Sequence, residues 1–163
     1  MKQIGVYFLL LTCLMGLDTK ACDCTGKKTV DESVKYSDVI VSGTILQKRL
    51  VKTLGGPYKN LILNPDSVAF AQSHIKGSLY AYTIVSDKVY KGNNIQDTFI
   101  VYSATSAAGC GYEFEKSKQY IIYARNLEVE DNGKKNIFLT TYCTRTNVYN
   151  DAEAKMLDKL FGK

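Results

Sequence analysis

Asp38-Val39-Ile40-Val41-Ser42-Gly43-Thr44-Ile45-Leu46 is the stretch on which the fold turns. Val39, Ile40, Val41, Thr44 and Ile45 are β-branched. Such side chains are stiff at χ1 and pack well on a pleated surface, so the stretch reads as a strand. Gly43 lies inside it, which predicts a bulge or a tight barrel bend. Just upstream, residues 29–37 read as a short helix. Thr29 with Glu32 three residues on forms a capping box, and Val30, Val34 and Tyr36 offer apolar contacts.

Downstream, residues 51–77 form a long excursion between two paired strands. Leu54-Gly55-Gly56-Pro57 marks a turn, Pro65-Asp66-Ser67 opens a short helix through Gln72, and Gly77 closes the segment. A connection of this length is often functional. Residues 79–90 are the next strand, stopped by Lys91-Gly92-Asn93-Asn94, and residues 97–103 another. A small-residue loop over 103–111 holds Cys110. Residues 119–124 (Gln-Tyr-Ile-Ile-Tyr-Ala) read as a buried strand, Asp131-Asn132-Gly133 as a turn, and residues 137–142 as the last strand, leading into Cys143. Asn150 caps a final helix, with Glu153 completing the capping pattern. Met156, Leu157, Leu160 and Phe161 form an apolar stripe assigned to core packing.

Five strands with a short helix at either end predict a mostly β fold: a closed antiparallel barrel, for which the OB-fold is the natural five-stranded candidate. Nothing alternates as βαβ, which argues against a parallel sheet. There are no internal repeats and no low-complexity stretch.

Composition agrees with one globular domain. The 163 residues are 45% hydrophobic and 23% charged, with only 2 prolines. Twelve tyrosines and no tryptophan lean toward strands. The net charge of +5 is scattered, with no basic stripe interleaved with aromatics, so the surface reads as solvated and mildly basic, not as a nucleic-acid interface.

The N-terminus reads as a secretory signal. Met1-Lys2-Gln3 is a short positive region, residues 4–17 are apolar, and Thr19 and Ala21 sit three and one positions before Cys22. Cleavage after Ala21 leaves residues 22–163 as a single domain. The apolar run is shorter than the roughly 20 residues a transmembrane anchor needs, and no second run follows. The rival reading of this segment is a lipid-anchored envelope protein acylated at Cys22. Thr19 and Lys20 fit poorly at the positions before a lipidated cysteine.

Removal of the signal takes Cys13 and leaves Cys22, Cys24, Cys110 and Cys143. An even count in a secreted chain predicts two disulfides. A Cys22–Cys24 bridge would close a strained, tiny ring, so the two long-range pairings stay open. A zinc site of four cysteines is the other option, but it typically uses Cys-x2-Cys knuckles in a reducing compartment.

Catalytic machinery is not legible. His74 is the only histidine, so a histidine-containing triad would have to be built around it, no second histidine stands by for a metal motif, and it reads as a surface-loop residue. Glu113, Glu115, Glu128, Glu130 and Asp131 fall into no acid/base constellation, and no glycine-rich phosphate loop occurs. The chain is expected not to be an enzyme and to hold no cofactor.

The cysteine layout resembles the netrin-like / tissue inhibitor of metalloproteinases (TIMP-like) family, whose members share an OB-type barrel. The matching residues are Ala21-Cys22-Asp23-Cys24, Tyr36-Ser-Asp-Val-Ile-Val-Ser-Gly43, Val89-Tyr-Lys-Gly92, Ala107-Ala-Gly-Cys-Gly111 and Thr140-Thr-Tyr-Cys-Thr144. They are spread over most of the mature chain. The resemblance implies that Cys22 pairs with Cys110 and Cys24 with Cys143. It also implies a secreted, monomeric inhibitor whose partner is a zinc metalloendopeptidase. In such inhibitors the α-amino nitrogen and carbonyl oxygen of the first cysteine chelate the target's catalytic zinc, and the next residue enters the S1′ pocket. Those roles fall here to Cys22 and Asp23, with Ala108 and Gly109 beside the wedge. A netrin-like module that binds a protein or glycan without inhibiting is the alternative within the same fold.

Overall fold

The computed structural model describes residue 24 and residues 28–51, 79–105, 110–130 and 134–163. The expected signal peptide 1–21, Cys22, Asp23, nearly all of the 51–77 excursion with His74, the wedge residues Ala108 and Gly109, and the 131–133 turn lie outside the described residues.

Helix α1 (Val30–Tyr36) begins where the capping box places it. The Thr29 side chain accepts from the Glu32 backbone N–H, and the Glu32 carboxylate reaches back to Thr29 N at 2.9 Å. Strand β1 (Val39–Val51) runs five residues beyond the stretch that announces it. It is followed by β2 (Leu79–Lys91), β3 (Thr98–Ala104), β4 (Gln119–Glu130), β5 (Lys134–Leu139), the two-residue β6 (Asn147–Val148) and helix α2 (Asp151–Phe161).

The first five strands close a barrel in the order β1-β2-β3-β5-β4, with β4 returning beside β1. Placing the fourth strand next to the first is the Greek-key arrangement. The expected all-antiparallel barrel is corrected at one seam, because β3 and β5 run parallel, pairing Val101 with Phe138 and Tyr102 with Leu139. Parity requires it: five strands cannot alternate up and down around a closed ring, so one neighbouring pair must point the same way.

Gly43 sits at a register shift between β1 and β2, as expected. A Cβ there would lie 2.5 Å from the Val85 carbonyl oxygen and 2.7 Å from Ile84 Cγ2. The residue is glycine because a neighbouring backbone needs the space.

Period-two alternation explains why β1 and β4 read as unbroken apolar runs. Val39, Val41, Tyr120, Ile122 and Ala124 share one cluster with Tyr82, Ile84, Phe99, Val101 and Phe114, inside the barrel. Ile40, Ile121 and Tyr123 face the other way and pack against Val30 of α1 and Ala154 and Leu157 of α2. Both faces are covered over Val39–Ile45 of β1 and Tyr120–Ala124 of β4, so no polar alternation survives there, whereas Leu46 and Leu50 farther along β1 are exposed. Lys91 ties α1 to the end of β2 through the carbonyls of Val34 (2.8 Å) and Ser37 (2.6 Å).

Three local expectations are corrected. The last barrel strand ends at Leu139, not at residue 142, because the Thr140 and Thr141 side chains open a hydroxyl-bonded turn there. In α2, Leu157 is fully buried whereas Met156 (55% exposed) and Leu160 (49%) face outward. The buried face is Glu153, Ala154 and Leu157, with Phe161 packed against the same cluster, following the i, i+3, i+4, i+7 rule. Tyr36 is 60% exposed and serves as a platform for the Lys28 ammonium, 4.7 Å from its ring centre.

Candidate functional site

The functional expectation centres on the cysteines, and the loop after β5 is where the described ones converge. Cys24 is disulfide-bonded to Cys143 with a Cα–Cα separation of 5.3 Å, joining positions 119 residues apart. Two thiolates committed to a disulfide cannot be zinc ligands, which removes the four-cysteine alternative. Cys110 is disulfide-bonded as well; its expected partner, Cys22, lies outside the described residues. Cys110 is buried in a left-handed backbone conformation (φ 55°), and its carbonyl accepts the Tyr142 N–H at 2.8 Å. The two cysteine-bearing loops are therefore locked to each other directly.

Residues 140–147 form a rigid platform through their hydroxyls. Thr140 Oγ1 lies 2.8 Å from Thr144 Oγ1 and 2.7 Å from Thr146 Oγ1. Thr140 Oγ1 donates to the Tyr123 carbonyl (3.0 Å), and Tyr123 N–H donates to Thr146 Oγ1 (3.0 Å). Thr144 Oγ1 donates to the Thr141 carbonyl at 2.8 Å, and Cys143 N–H donates to Thr141 Oγ1 at 3.2 Å. Short β-branched alcohols suit this task, because one oxygen both donates and accepts while χ1 stays fixed. The Thr140 N–H donates to the Tyr102 carbonyl at 2.9 Å, which fastens the platform to the parallel seam.

Beneath the platform lies a charge that sequence reasoning missed. Glu153, only 5% exposed, donates its backbone N–H to the capping Asn150 Oδ1 at 2.8 Å, while its carboxylate is engaged elsewhere. It receives Arg145 side-on, Nε to Oε1 at 3.0 Å and Nη2 to Oε2 at 2.9 Å. Tyr123 Oη donates to the same carboxylate at 2.6 Å and Asn147 Nδ2 at 3.3 Å. Arg145 Nη1 donates to the Lys28 carbonyl at 2.6 Å. Burial works against the Arg145 charge, but the Glu153 hydrogen bonds and charge outweigh it and raise its pKa. Burial first, and then the bond to Glu153, push the Tyr123 phenol far above its ordinary value. The signal available was spacing: Glu153 precedes Ala154 and Leu157 on one helical face, and the capping pattern hid it.

A cleft of about 760 Å³ is lined by both cysteines of the staple, Cys24 and Cys143, together with Lys28, Tyr112, Tyr142 and Arg145. Tyr142 is 68% exposed. Tyr112 is half-buried, and desolvation pushes its phenol up to about 12. Its N–H donates to Ser103 Oγ at 2.7 Å, so the segment after Cys110 is pinned to β3.

Of the expected site residues, the structure unites Cys24, Cys143 and Cys110 at one end of the barrel. The carboxylates Glu113 and Glu115 are engaged by Lys48 (2.6 Å) and Lys118 (2.8 Å) at the surface. Among the described residues no group of three or more metal-ligating side chains comes together, and no helix is long and apolar enough to cross a membrane. Compared with models of known protein families the chain matches none, and no curated protein matches it significantly.

Proposed function

We propose that this chain is a secreted netrin-like, TIMP-like OB-fold domain that inhibits a zinc metalloendopeptidase through the backbone of Cys22. The observation that carries the reading is the Cys24–Cys143 staple, which anchors the chain two residues after Cys22 to a hydroxyl-locked loop. The Greek-key order of the barrel and the disulfide at Cys110 support the same reading.

The chemistry follows from elementary properties. A catalytic zinc keeps one coordination position open for water. An amine and a carbonyl of the same residue can close a five-membered chelate there. The amine must be neutral, and an α-amino group with a pKa of about 7.7–8.0 loses its proton at little cost near neutral pH. A stapled ridge has little conformational freedom left to lose on docking. Asp23, next in line, carries a carboxylate that an apolar pocket would reject, so the target is expected to offer a donor or a cation in its S1′ pocket.

The test is expression with the native leader, followed by intact-mass measurement and assay against a panel of zinc endopeptidases. The expected mass begins at Cys22, lacks four hydrogens for two disulfides and carries no acyl group, and the protein inhibits at least one panel enzyme stoichiometrically. An acylated Cys22, or a mature start elsewhere, would overturn the mechanism.

A further inference from the structure

We propose that the Cys24–Cys143 disulfide is a thiol–disulfide exchange site, opened reversibly by a dithiol reductant while the barrel stays folded. Exchange requires a thiolate to reach one sulfur of the bond. Cys24 and Cys143 are both half-buried, and both line the cleft of about 760 Å³, so a thiolate can enter without unfolding the chain. Cys110, also disulfide-bonded, is only 8% exposed and is not among the residues lining that cleft.

The lining also favours the chemistry by its charge. Lys28 and Arg145 are its charged residues. Glu153 meets the Arg145 guanidinium at 2.9 Å, which leaves the Lys28 ammonium as the net charge of the lining. A cation stabilises a thiolate and makes it a better leaving group.

Reversibility follows from contacts that do not depend on the disulfide. The Cys143 N–H donates to Thr141 Oγ1 at 3.2 Å, and Thr144 Oγ1 donates to the Thr141 carbonyl at 2.8 Å. Two residues on, Arg145 is held by both oxygens of Glu153, and its Nη1 donates to the Lys28 carbonyl at 2.6 Å. Cys24 lies four residues from that carbonyl, and four residues span at most about 14 Å. The reduced thiols therefore stay close, and the bond re-forms without the search that a free loop of 119 residues would require.

In the step itself, one thiolate of the reductant bonds to one of the two sulfurs. The S–S bond breaks, and its electron pair leaves on the other cysteine, which takes up a proton. The second thiolate of the reductant then displaces the remaining cysteine from the mixed disulfide, and that cysteine is protonated in turn. The dithiol ends as a disulfide, and Cys24 and Cys143 end as two thiols. The consequence for inhibition rests on the function proposed above: opening the bond removes the anchor two residues after Cys22 and weakens inhibition.

The experiment treats the folded mature protein with dithiothreitol and quenches samples with iodoacetamide. Peptide mapping reports which cysteines are alkylated, and circular dichroism reports the fold. Cys24 and Cys143 are expected to be labelled at least about tenfold faster than Cys110, at a rate unaffected by urea below the unfolding transition. Removing the reductant and adding oxidised dithiothreitol is expected to restore the original mass. If labelling of Cys24 and Cys143 instead rises with urea as steeply as global unfolding does, the bond opens only in the unfolded chain and the inference is overturned. Labelling of Cys110 at the same rate overturns it too. If the untreated protein inhibits no enzyme, the proposed function fails by itself, and the labelling still decides whether the exchange site exists.

Discussion

At the scale of single residues, two positions carry more than their type announces. Gly43 is required by the close approach of the β2 backbone, not by an unusual φ. Gly43→Ala would drive a methyl into a carbonyl that cannot rotate away without breaking the ladder. A loss of about 2–3 kcal/mol is expected, read by denaturant unfolding at unchanged m-value. The sequence flagged this glycine correctly, because a glycine within a β-branched run has few other reasons to be there. Glu153 was not legible in the same way. An acid three residues after an asparagine looks like a capping partner, and only the folded chain brings Arg145 and Tyr123 to it. Removing one side of a buried pair leaves an uncompensated charge, so Glu153→Ala should cost about 3–5 kcal/mol. An exposed capping acid would cost about 1 kcal/mol, and the same unfolding experiment separates the two.

At the scale of elements, helix starts and barrel strands were readable because their determinants are local. The capping box of α1 illustrates this and has a pH signature. The Glu32 carboxyl is held below its ordinary value of 4.5, first by the backbone bond to Thr29 and then by the Thr29 hydroxyl. A group whose pKa is lowered on folding stabilises the native state above its unfolded value. That contribution fades as pH falls through the lower, folded one. The acid limb of the stability–pH curve should therefore flatten below about pH 4.5 in Glu32→Gln, and an unchanged limb would show the box to be idle. What escaped the sequence were elements made by tertiary pairing. Strand β6 is two residues long and exists because Val148 and Asn147 meet Tyr120 and Ile121. The parallel seam follows from ring parity, which no local window contains. In α2, Met156 and Leu160 read as core because they are apolar and neighbour Leu157 and Phe161. The helix instead turns its buried face toward Ala154 and Leu157, where it meets Ile40, Ile121 and Tyr123.

At the scale of the whole molecule, the cysteines were the most informative residues in the sequence. Their pairing at Cys24–Cys143 agrees with what the family resemblance implied. That bond closes a loop of 119 residues, and in the chain-entropy model such a constraint is worth about 5 kcal/mol. Replacing both cysteines by serine should lower the thermal midpoint by on the order of 10 °C or more, measured by calorimetry, while the hydroxyl-locked loop keeps the barrel foldable. The staple, the threonine platform and the Arg145–Glu153 pair together form the end to which Cys24 and Lys28 are tied, and under the proposed function this end presents Cys22 to a zinc ion. The most direct test adds one alanine before Cys22 in the mature protein. The added residue moves the free amine away from the first cysteine and leaves the barrel untouched. Inhibition of the target endopeptidase is expected to be abolished, with the thermal midpoint unchanged within about 1 °C, since a residue added at a chain terminus touches no packed core. An extended protein that inhibits as well as the mature one would contradict the chelation mechanism.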